Sequence, residues 1–295
     1  MTQRRSSRSA RSRLGVLWLL AALALITSAC GVRPGEAASG ATAADLVHVH
    51  GLAEAPEGGL YVATHTGLFQ VNGDQVEAVG GATHDLMGFT VAGPGDMLAS
   101  GHPDLRDQSL QVAGKPPLLG LVHSDDGTTW EPLSLLGDVD FHNLVAAHGR
   151  VYGSDSTSGA FMVSEDRETW DTRAERLALY DFAVSPDDPD TIVGSGEAGL
   201  ARSRDGGRTW EAVSGEPYVF LSWADEGLYG VTSQGQVAVS GDAGATWDQR
   251  GTVEGPPEAL LVTDEAVYVA VAEVGIARSD DRGENFQVTI PTAAG

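Results

Sequence analysis

Histidine and aspartate side chains are concentrated in the first half of the chain. The sequence has eight histidines, and seven of them lie between positions 48 and 142, several beside an aspartate. Neutral imidazole and carboxylate together are the ligands that proteins use for zinc, copper or iron. His48 and His50 are two positions apart in a run typical of a strand, so their side chains are expected to point the same way. That spacing suits two ligands of one ion.

The elements that would position these side chains are clearest in the second half of the chain, at Ser203–Trp210. This octet has the pattern S-x-D-x-G-x-T-W. Serine and aspartate side chains can hydrogen-bond the backbone of a turn. Gly207 supplies the positive φ that a tight reversal needs. Trp210 favours a strand and offers a large apolar surface for packing. The octet therefore predicts a self-fastened hairpin turn leading into a strand.

The same pattern occurs five times, with two copies shortened. The opening serines are 40, 39, 37 and 39 residues apart, which indicates a repeat architecture. The residues expected to hold these turns or to pack beside them are Ser124, Asp126 and Trp130; Ser164, Asp166 and Trp170; Ser203, Asp205, Gly207 and Trp210; Ser240, Asp242, Gly244 and Trp247; and Ser279, Asp281, Gly283 and Phe286.

On these motifs the chain resembles the Asp-box (BNR-repeat) β-propellers. That family includes sialidases, sortilin-type receptors, some glucan hydrolases and the photosystem II assembly propellers. The resemblance covers residues 45–291. It implies an all-β fold, a single six-bladed β-propeller of four-stranded antiparallel blades, in which the boxes are structural turns.

The residues between the boxes agree with one blade per repeat. In the fourth repeat, short apolar runs begin at Tyr180, Thr191, Gly199 and Trp210, which predicts four strands. The other blades are expected to begin near Leu46, Met87, Phe141, Tyr218 and Ala259. The first repeat lacks a box, and Asn72-Gly73 supplies the hairpin turn instead. The second repeat carries an insertion from His102 to Pro117.

In such a propeller the boxes lie on one side, and the loops around the channel mouth lie on the other. Sorting the polar residues by that rule places most of the histidines on the mouth, whereas His123 and His148 fall elsewhere. Three interpretations stay open: structural lining of a wet channel, a small organic ligand or glycan, and a copper or zinc ion. The candidate ligand residues are His48, His50, His65, His84, Asp85, His102, Asp104, Asp140, His142, Asp155 and Asp181.

Two classes of function are compatible with this fold. The resemblance to sialidases implies an arginine triad, a Tyr activated by a Glu, and an acid/base Asp, but none of the rim candidates is an arginine. Sialidase activity is therefore not expected, and no catalytic residue is assigned. The favoured hypothesis is a binding or assembly platform with a protein or small-ligand partner. The alternative is a glycoside hydrolase that uses rim carboxylates.

The N-terminus has the pattern of an export signal. Five arginines precede an apolar run, Leu14–Ile26, which is too short to span a bilayer. The run ends in Thr27-Ser28-Ala29-Cys30-Gly31, which resembles a bacterial lipoprotein cleavage box. Residues 1–30 are thus interpreted as a signal peptide, 31–44 as a flexible linker and 292–295 as a tail. Cys30, the only cysteine in the sequence, would carry the lipid and hold the protein at the outer face of the cell membrane.

The charge of the chain argues against some partners. Without its leader the chain has 13 basic and 41 acidic residues, a net charge of −28. Such a surface repels nucleic acid and is receptive to cations.

Replacement of Cys30 by serine tests the anchor. The Cys30→Ser variant is expected to move from the membrane fraction to the soluble exported fraction, because serine cannot accept the lipid. Fractionation followed by immunoblotting measures the distribution. An unchanged distribution would mean that Cys30 is not the anchor.

Overall fold

The computed structural model describes residues 41–291. Residues 1–30 with Cys30, most of the predicted linker and the tail 292–295 lie outside that range. Within it, six four-stranded antiparallel sheets account for nearly all regular structure, which confirms the predicted all-β fold. The only helical segments in that range are two 3₁₀ turns, Ala43–Asp45 and Gln108–Leu110, and neither could cross a membrane.

Each sheet is built from four consecutive strands. Blade 1 comprises β1 (Val49–Glu54), β2 (Leu60–Thr64), β3 (Gly67–Asn72) and β4 (Gln75–Ala78); blade 2 comprises β5 (Asp85–Gly93), β6 (Asp96–His102), β7 (Leu121–Ser124) and β8 (Glu131–Ser134). Blade 3 comprises β9 (Phe141–Ala147), β10 (Arg150–Asp155), β11 (Phe161–Ser164) and β12 (Asp171–Ala174); blade 4 comprises β13 (Asp181–Val184), β14 (Ile192–Gly196), β15 (Gly199–Ser203) and β16 (Glu211–Ser214). Blade 5 comprises β17 (Tyr218–Ala224), β18 (Gly227–Thr232), β19 (Gln236–Ser240) and β20 (Asp248–Thr252); blade 6 comprises β21 (Pro257–Val262), β22 (Val267–Val271), β23 (Gly275–Ser279) and β24 (Gln287–Pro291).

The first strands of the blades form the inner ring of the propeller. Each contacts the first strand of the next blade, and β21 contacts β1, which closes a six-bladed ring. No strand is shared between the first and last blades in the described range, because every blade uses consecutive strands. Side-chain packing must therefore close the ring.

That packing is divided into six apolar clusters, one at each boundary between blades. Between blades 3 and 4, for example, Tyr152 and Phe161 pack with Phe182 and Ile192. At the closing boundary between blades 6 and 1, the cluster includes buried leucine, valine, alanine, phenylalanine and isoleucine side chains from β1–β3 and β21–β24. The apolar faces of each sheet are thus buried on both sides by its neighbours.

The repeated turns join the third and fourth strands of blades 2–6. In the blade 4 turn, Ser203 Oγ accepts a hydrogen bond from Gly207 N–H at 2.8 Å, and Asp205 Oδ1 accepts one from Thr209 N–H at 2.8 Å. The N–H and the hydroxyl of Thr209, with the other donors of the turn, lower the pKa of Asp205 to about 2. Gly207 has a φ of +94°, and a Cβ atom there would overlap the Phe161 ring of blade 3.

The aromatic residue that ends each turn packs at a blade boundary. The Trp210 ring of blade 4 lies 5.4 Å from the Phe161 ring of blade 3, and its Nε1 donates to Gly207 O at 2.9 Å. Trp247 packs on Tyr218 of its own blade, with ring centroids 4.1 Å apart, within the cluster between blades 4 and 5. The turn therefore fixes the indole, and the indole joins adjacent blades.

Side chains also cap the exposed edges of the inner strands. Phe141 N–H donates to Ser100 Oγ at 2.9 Å, and Val262 N–H donates to Ser222 Oγ at 3.0 Å. In each pair the acceptor belongs to the preceding blade. These bonds satisfy backbone groups that have no strand partner on the channel side.

The insertion of blade 2 lies between β6 and β7. It is packed onto the body of the propeller, because Leu110 and Leu119 have no exposed surface. Asp107 caps the start of the 3₁₀ turn, because its side chain accepts hydrogen bonds from the backbone N–H and the hydroxyl of Ser109. The segment is therefore held on the propeller by its buried leucines and this cap.

Replacement of Trp210 by alanine tests the packing at a boundary. We expect Trp210→Ala to lower the free energy of unfolding by about 3 kcal/mol, the lower end of the range for large aromatic residues, because the indole is half-buried. Urea denaturation measures the change. Tyr180→Ala, which removes an exposed ring, is the control and should leave stability unchanged. Equal stability of the two variants would contradict a packing role for Trp210.

Candidate functional site

Four rim residues come from adjacent ends of blades 1 and 2. His50 lies on β1, and His65 lies in the turn between β2 and β3. Asp85 begins β5, His102 ends β6, and these two residues are paired across the sheet. The blade boundary therefore brings together residues that are up to 52 positions apart in the chain.

Asp85 is the centre of this cluster. His50 Nε2 lies 3.2 Å from Asp85 Oδ1, and His65 Nδ1 lies 2.9 Å from Asp85 Oδ2. One ligand atom from each of these three residues lies within 4.8 Å of the others. His102 Nδ1 approaches the same carboxylate from another side, 3.4 Å from Oδ2. Two imidazole nitrogens and a carboxylate oxygen are thus close enough together to bind one ion.

Two atoms of this cluster are buried without a hydrogen-bond partner. They are His50 Nε2 and Asp85 Oδ1, which lie 3.2 Å apart as an ion pair. Burial alone would raise the pKa of Asp85, but the three surrounding histidines outweigh it and lower that pKa. The carboxylate is therefore ionised and has capacity for a further partner.

A second group lies on the opposite side of His102. The Asp140 side chain is 7% exposed, and its Oδ2 lies 3.0 Å from His142 Nε2 and 3.7 Å from His102 Nε2. Ser156 Oγ also donates to this oxygen at 3.0 Å, whereas Oδ1 has no partner. Burial opposes ionisation of Asp140, but His142, Ser156 and His102 lower its pKa. His102 thus connects two ionised carboxylates.

His48 lies beside this cluster. It precedes β1 with a φ of +50°. Its side chain is 72% exposed, and Nδ1 lies 3.5 Å from Glu258 Oε1 of blade 6. The His48 and His50 rings both lie 6.4 Å from the His65 ring, but the donor atoms that converge near Asp85 come from His50 and His65. One ion shared by His48 and His50 stays a prediction.

Three other candidates are committed to local structure. His84 is buried, its Nδ1 accepts the Asp104 N–H at 2.9 Å, and burial lowers its pKa. Asp104 is clamped by Arg106 and Thr83, and these contacts lower its pKa. Asp155 accepts N–H groups of the turn that follows it, including Thr157 N–H at 3.1 Å. These residues shape the rim but lie outside the cluster around Asp85.

Asp181 of blade 4 lines the central channel and is hydrogen-bonded to blades 3 and 5. Its Oδ1 accepts hydrogen bonds from Phe182 N–H at 2.8 Å and Asn143 Nδ2 at 3.1 Å. Its Oδ2 accepts Leu221 N–H of blade 5 at 2.8 Å. Burial outweighs these donors and raises the pKa of Asp181 to about 7. His123 lies near Asp96 and Asp125, and His148 Nε2 lies 2.8 Å from Ser185 O, so neither contacts the cluster around Asp85.

The channel is a cavity of about 380 Å³ enclosed by the inner strands. His50, His142 and Asp181 line it, together with Phe220 and Trp223 of blade 5. Sequence reasoning missed the two aromatic residues and also Glu258. The sequence shows that β17 and β21 are strands, but the alternation of side chains along a strand does not tell which of them face the channel.

The comparisons with known proteins give the fold. No family model matches the chain. A stretch of 162 residues is 32% identical to the oligoxyloglucan-reducing end-specific xyloglucanase of Emericella nidulans, covering 45% of this chain and 18% of that enzyme. The chain thus spans less than a fifth of this curated relative.

Several solved structures superpose on this chain and show the same fold. The GH74 xyloglucanase of Xanthomonas campestris superposes with a TM-score of 0.57 at 15% identity, covering 84% of this chain and 45% of the enzyme. PorZ, a surface component of the type-IX secretion system of Porphyromonas gingivalis, gives 0.55 at 15% identity, covering 82% and 33%. A chain of the nidogen/laminin complex gives 0.59 at 10% identity, covering 78% and 92%. The chain is a β-propeller, similar in fold to both enzymes and binding proteins.

The pKa of Asp181 can be checked by titration. Because the folded pKa is about 7 and the ordinary value 3.8, the folded protein binds more protons than the unfolded chain between about pH 4 and 7. The free energy of unfolding contributed by this group therefore falls as pH rises across that window. We expect a carboxyl carbon resonance with a midpoint near pH 7 in the protein, and its loss in Asp181→Asn. A wild-type spectrum in which every carboxyl titrates below pH 5 would refute the shift.

Proposed function

We propose that this chain is a binding propeller that captures a divalent transition-metal ion, copper or zinc, at His50, His65 and Asp85. The observation that carries the proposal is the convergence of two imidazole nitrogens and one carboxylate oxygen within 4.8 Å. In the same proposal, the protein is exported and held through Cys30 at the outer face of the cell membrane. There the rim would face a protein partner or a small ligand.

The donor set fits such an ion. Zinc is bound by histidine nitrogen and carboxylate oxygen at about 2.0–2.2 Å, so donor atoms lie about 3–3.5 Å apart around it. The 3.2 Å between His50 Nε2 and Asp85 Oδ1 is in that range, and the 2.9 Å between His65 Nδ1 and Asp85 Oδ2 is just below it. An ion would also satisfy His50 Nε2 and Asp85 Oδ1, which have no hydrogen-bond partner. Three protein ligands would leave a coordination position for water or an incoming group.

The surroundings of the cluster favour a cation. Asp140 is a second ionised carboxylate, separated from Asp85 by the His102 ring. The net charge of −28 without the leader gives the protein a field that attracts cations, more strongly at low salt. His65 is 59% exposed at the mouth, so an ion could reach the cluster from solvent.

Glycoside hydrolysis is the second candidate, because the relatives include xyloglucanases. Hydrolysis needs one protonated acid and one ionised carboxylate. Asp85 and Asp140 both have lowered pKa values, so neither supplies the acid. Asp181 has the raised pKa, but three N–H donors already hold its oxygens. These carboxyl groups therefore favour binding over hydrolysis. Hydrolysis would be favoured instead if the protein released sugars from xyloglucan oligosaccharides and Asp181→Asn abolished that release.

Calorimetric titration of copper(II) and zinc(II) tests the metal proposal. Metal-free protein at pH 7.5 is expected to bind one equivalent, and His50→Ala combined with His65→Ala should abolish binding. Affinity should fall on acidification, because protonated imidazole cannot coordinate a metal. His123→Ala combined with His148→Ala, which leaves the cluster intact, is the matched control. Equal binding by both double variants, or none by the wild type, would end the proposal.

A further inference from the structure

The lining of the central channel combines polar and apolar groups. Blades 1, 3 and 4 contribute His50, His142 and Asp181. Blades 5 and 6 contribute Phe220, Trp223 and Leu260. These three side chains are half-buried, so each keeps some accessible surface. The cavity therefore offers polar partners and apolar surface to one ligand.

The charged groups of the lining have one sign. Asp181 lies in the wall, and Glu54 lies on the same inner strand as His50. No lysine or arginine is present among the described residues that line the cavity. Burial and the nearby Asp264 and Glu265 raise the pKa of Glu54. An anionic ligand would be repelled.

Asp181 has room for one more donor. An ionised carboxylate can accept about four hydrogen bonds, two at each oxygen. Oδ1 accepts two, from Phe182 and Asn143, whereas Oδ2 accepts one, from Leu221. A ligand N–H group in the cavity could therefore bind Oδ2 without displacing a protein contact.

We propose that the central channel is a binding site for a small amphipathic organic cation. Its ammonium group would bind Asp181, and its aromatic or aliphatic body would pack against Phe220, Trp223 and Leu260. A volume of about 380 Å³ is sufficient for a small ligand of this kind. Aromatic walls also attract organic cations directly. The channel shares His50 with the proposed metal site, but Asp181, Phe220, Trp223 and Leu260, which would hold the ligand, are not metal ligands. Titration of metal-free protein therefore tests this site separately.

Three probes that differ only in their end group test the site. They are 4-phenylbutylamine, 4-phenylbutan-1-ol and 4-phenylbutanoate, titrated calorimetrically into metal-free full-length protein at pH 7.5. The amine is expected to bind at least about tenfold more tightly than the alcohol, since it adds a charge pair at Asp181. The butanoate should not bind. Butanoate binding as tight as that of the amine, or no binding by any probe, would overturn the proposal.

Variants locate the binding. Asp181→Asn should reduce affinity for the amine to that for the alcohol, and Trp223→Ala should weaken both probes. Leu133→Ala, an exposed change on the outer strand β8, is the control and should alter neither. If near-ultraviolet circular dichroism shows that Asp181→Asn is unfolded, Leu260→Arg replaces it, because a guanidinium in the apolar wall should abolish amine binding. Unchanged amine affinity in the folded Asp181 or Leu260 variant would disprove the assignment.

Discussion

Packing between adjacent blades is the interaction on which the rest of this structure depends. A blade cannot bury both of its faces alone, and no strand bridges the first and last blades in residues 41–291. Six apolar clusters and a small number of capping hydrogen bonds must therefore hold the ring. At the closing boundary, Glu258 of blade 6 accepts the Val49 N–H of blade 1 at 3.1 Å, beside the apolar cluster. The Asp85 cluster draws its ligands from blades 1 and 2, so its geometry exists only while the blades are packed.

The sequence predicted the fold well because the information for it is local. Ser203, Asp205 and Gly207 fasten a turn through contacts within one octet, and the period of the copies gives the number of blades. The rim was predicted as a set, since antiparallel connectivity places alternate loops on the same side. Individual side chains were not predictable to the same degree. The positive φ of His48 and the burial of His84 depend on neighbouring blades, which no local pattern reveals.

Asp181 belongs both to the scaffold and to the lining of the channel. It caps the Leu221 N–H of blade 5, as Ser100 and Ser222 cap backbone groups at other boundaries. A serine could cap Leu221 but could not also accept from Phe182 and Asn143, as the two oxygens of Asp181 do. Burial is unfavourable for the charged form and raises the pKa of this carboxyl group. The scaffold thus places a carboxyl group in the channel wall at an electrostatic cost, which the proposed cationic ligand would offset.

The cluster around Asp85 poses a related question of charge. Three imidazoles surround one ionised carboxylate, and His102 continues to a second carboxylate at Asp140. Two negative charges close together attract a cation that can use the imidazole nitrogens as ligands. A proton and a divalent metal ion bind the same nitrogen atoms, so they would compete for this cluster. The competition would shift towards the metal as the proton concentration falls.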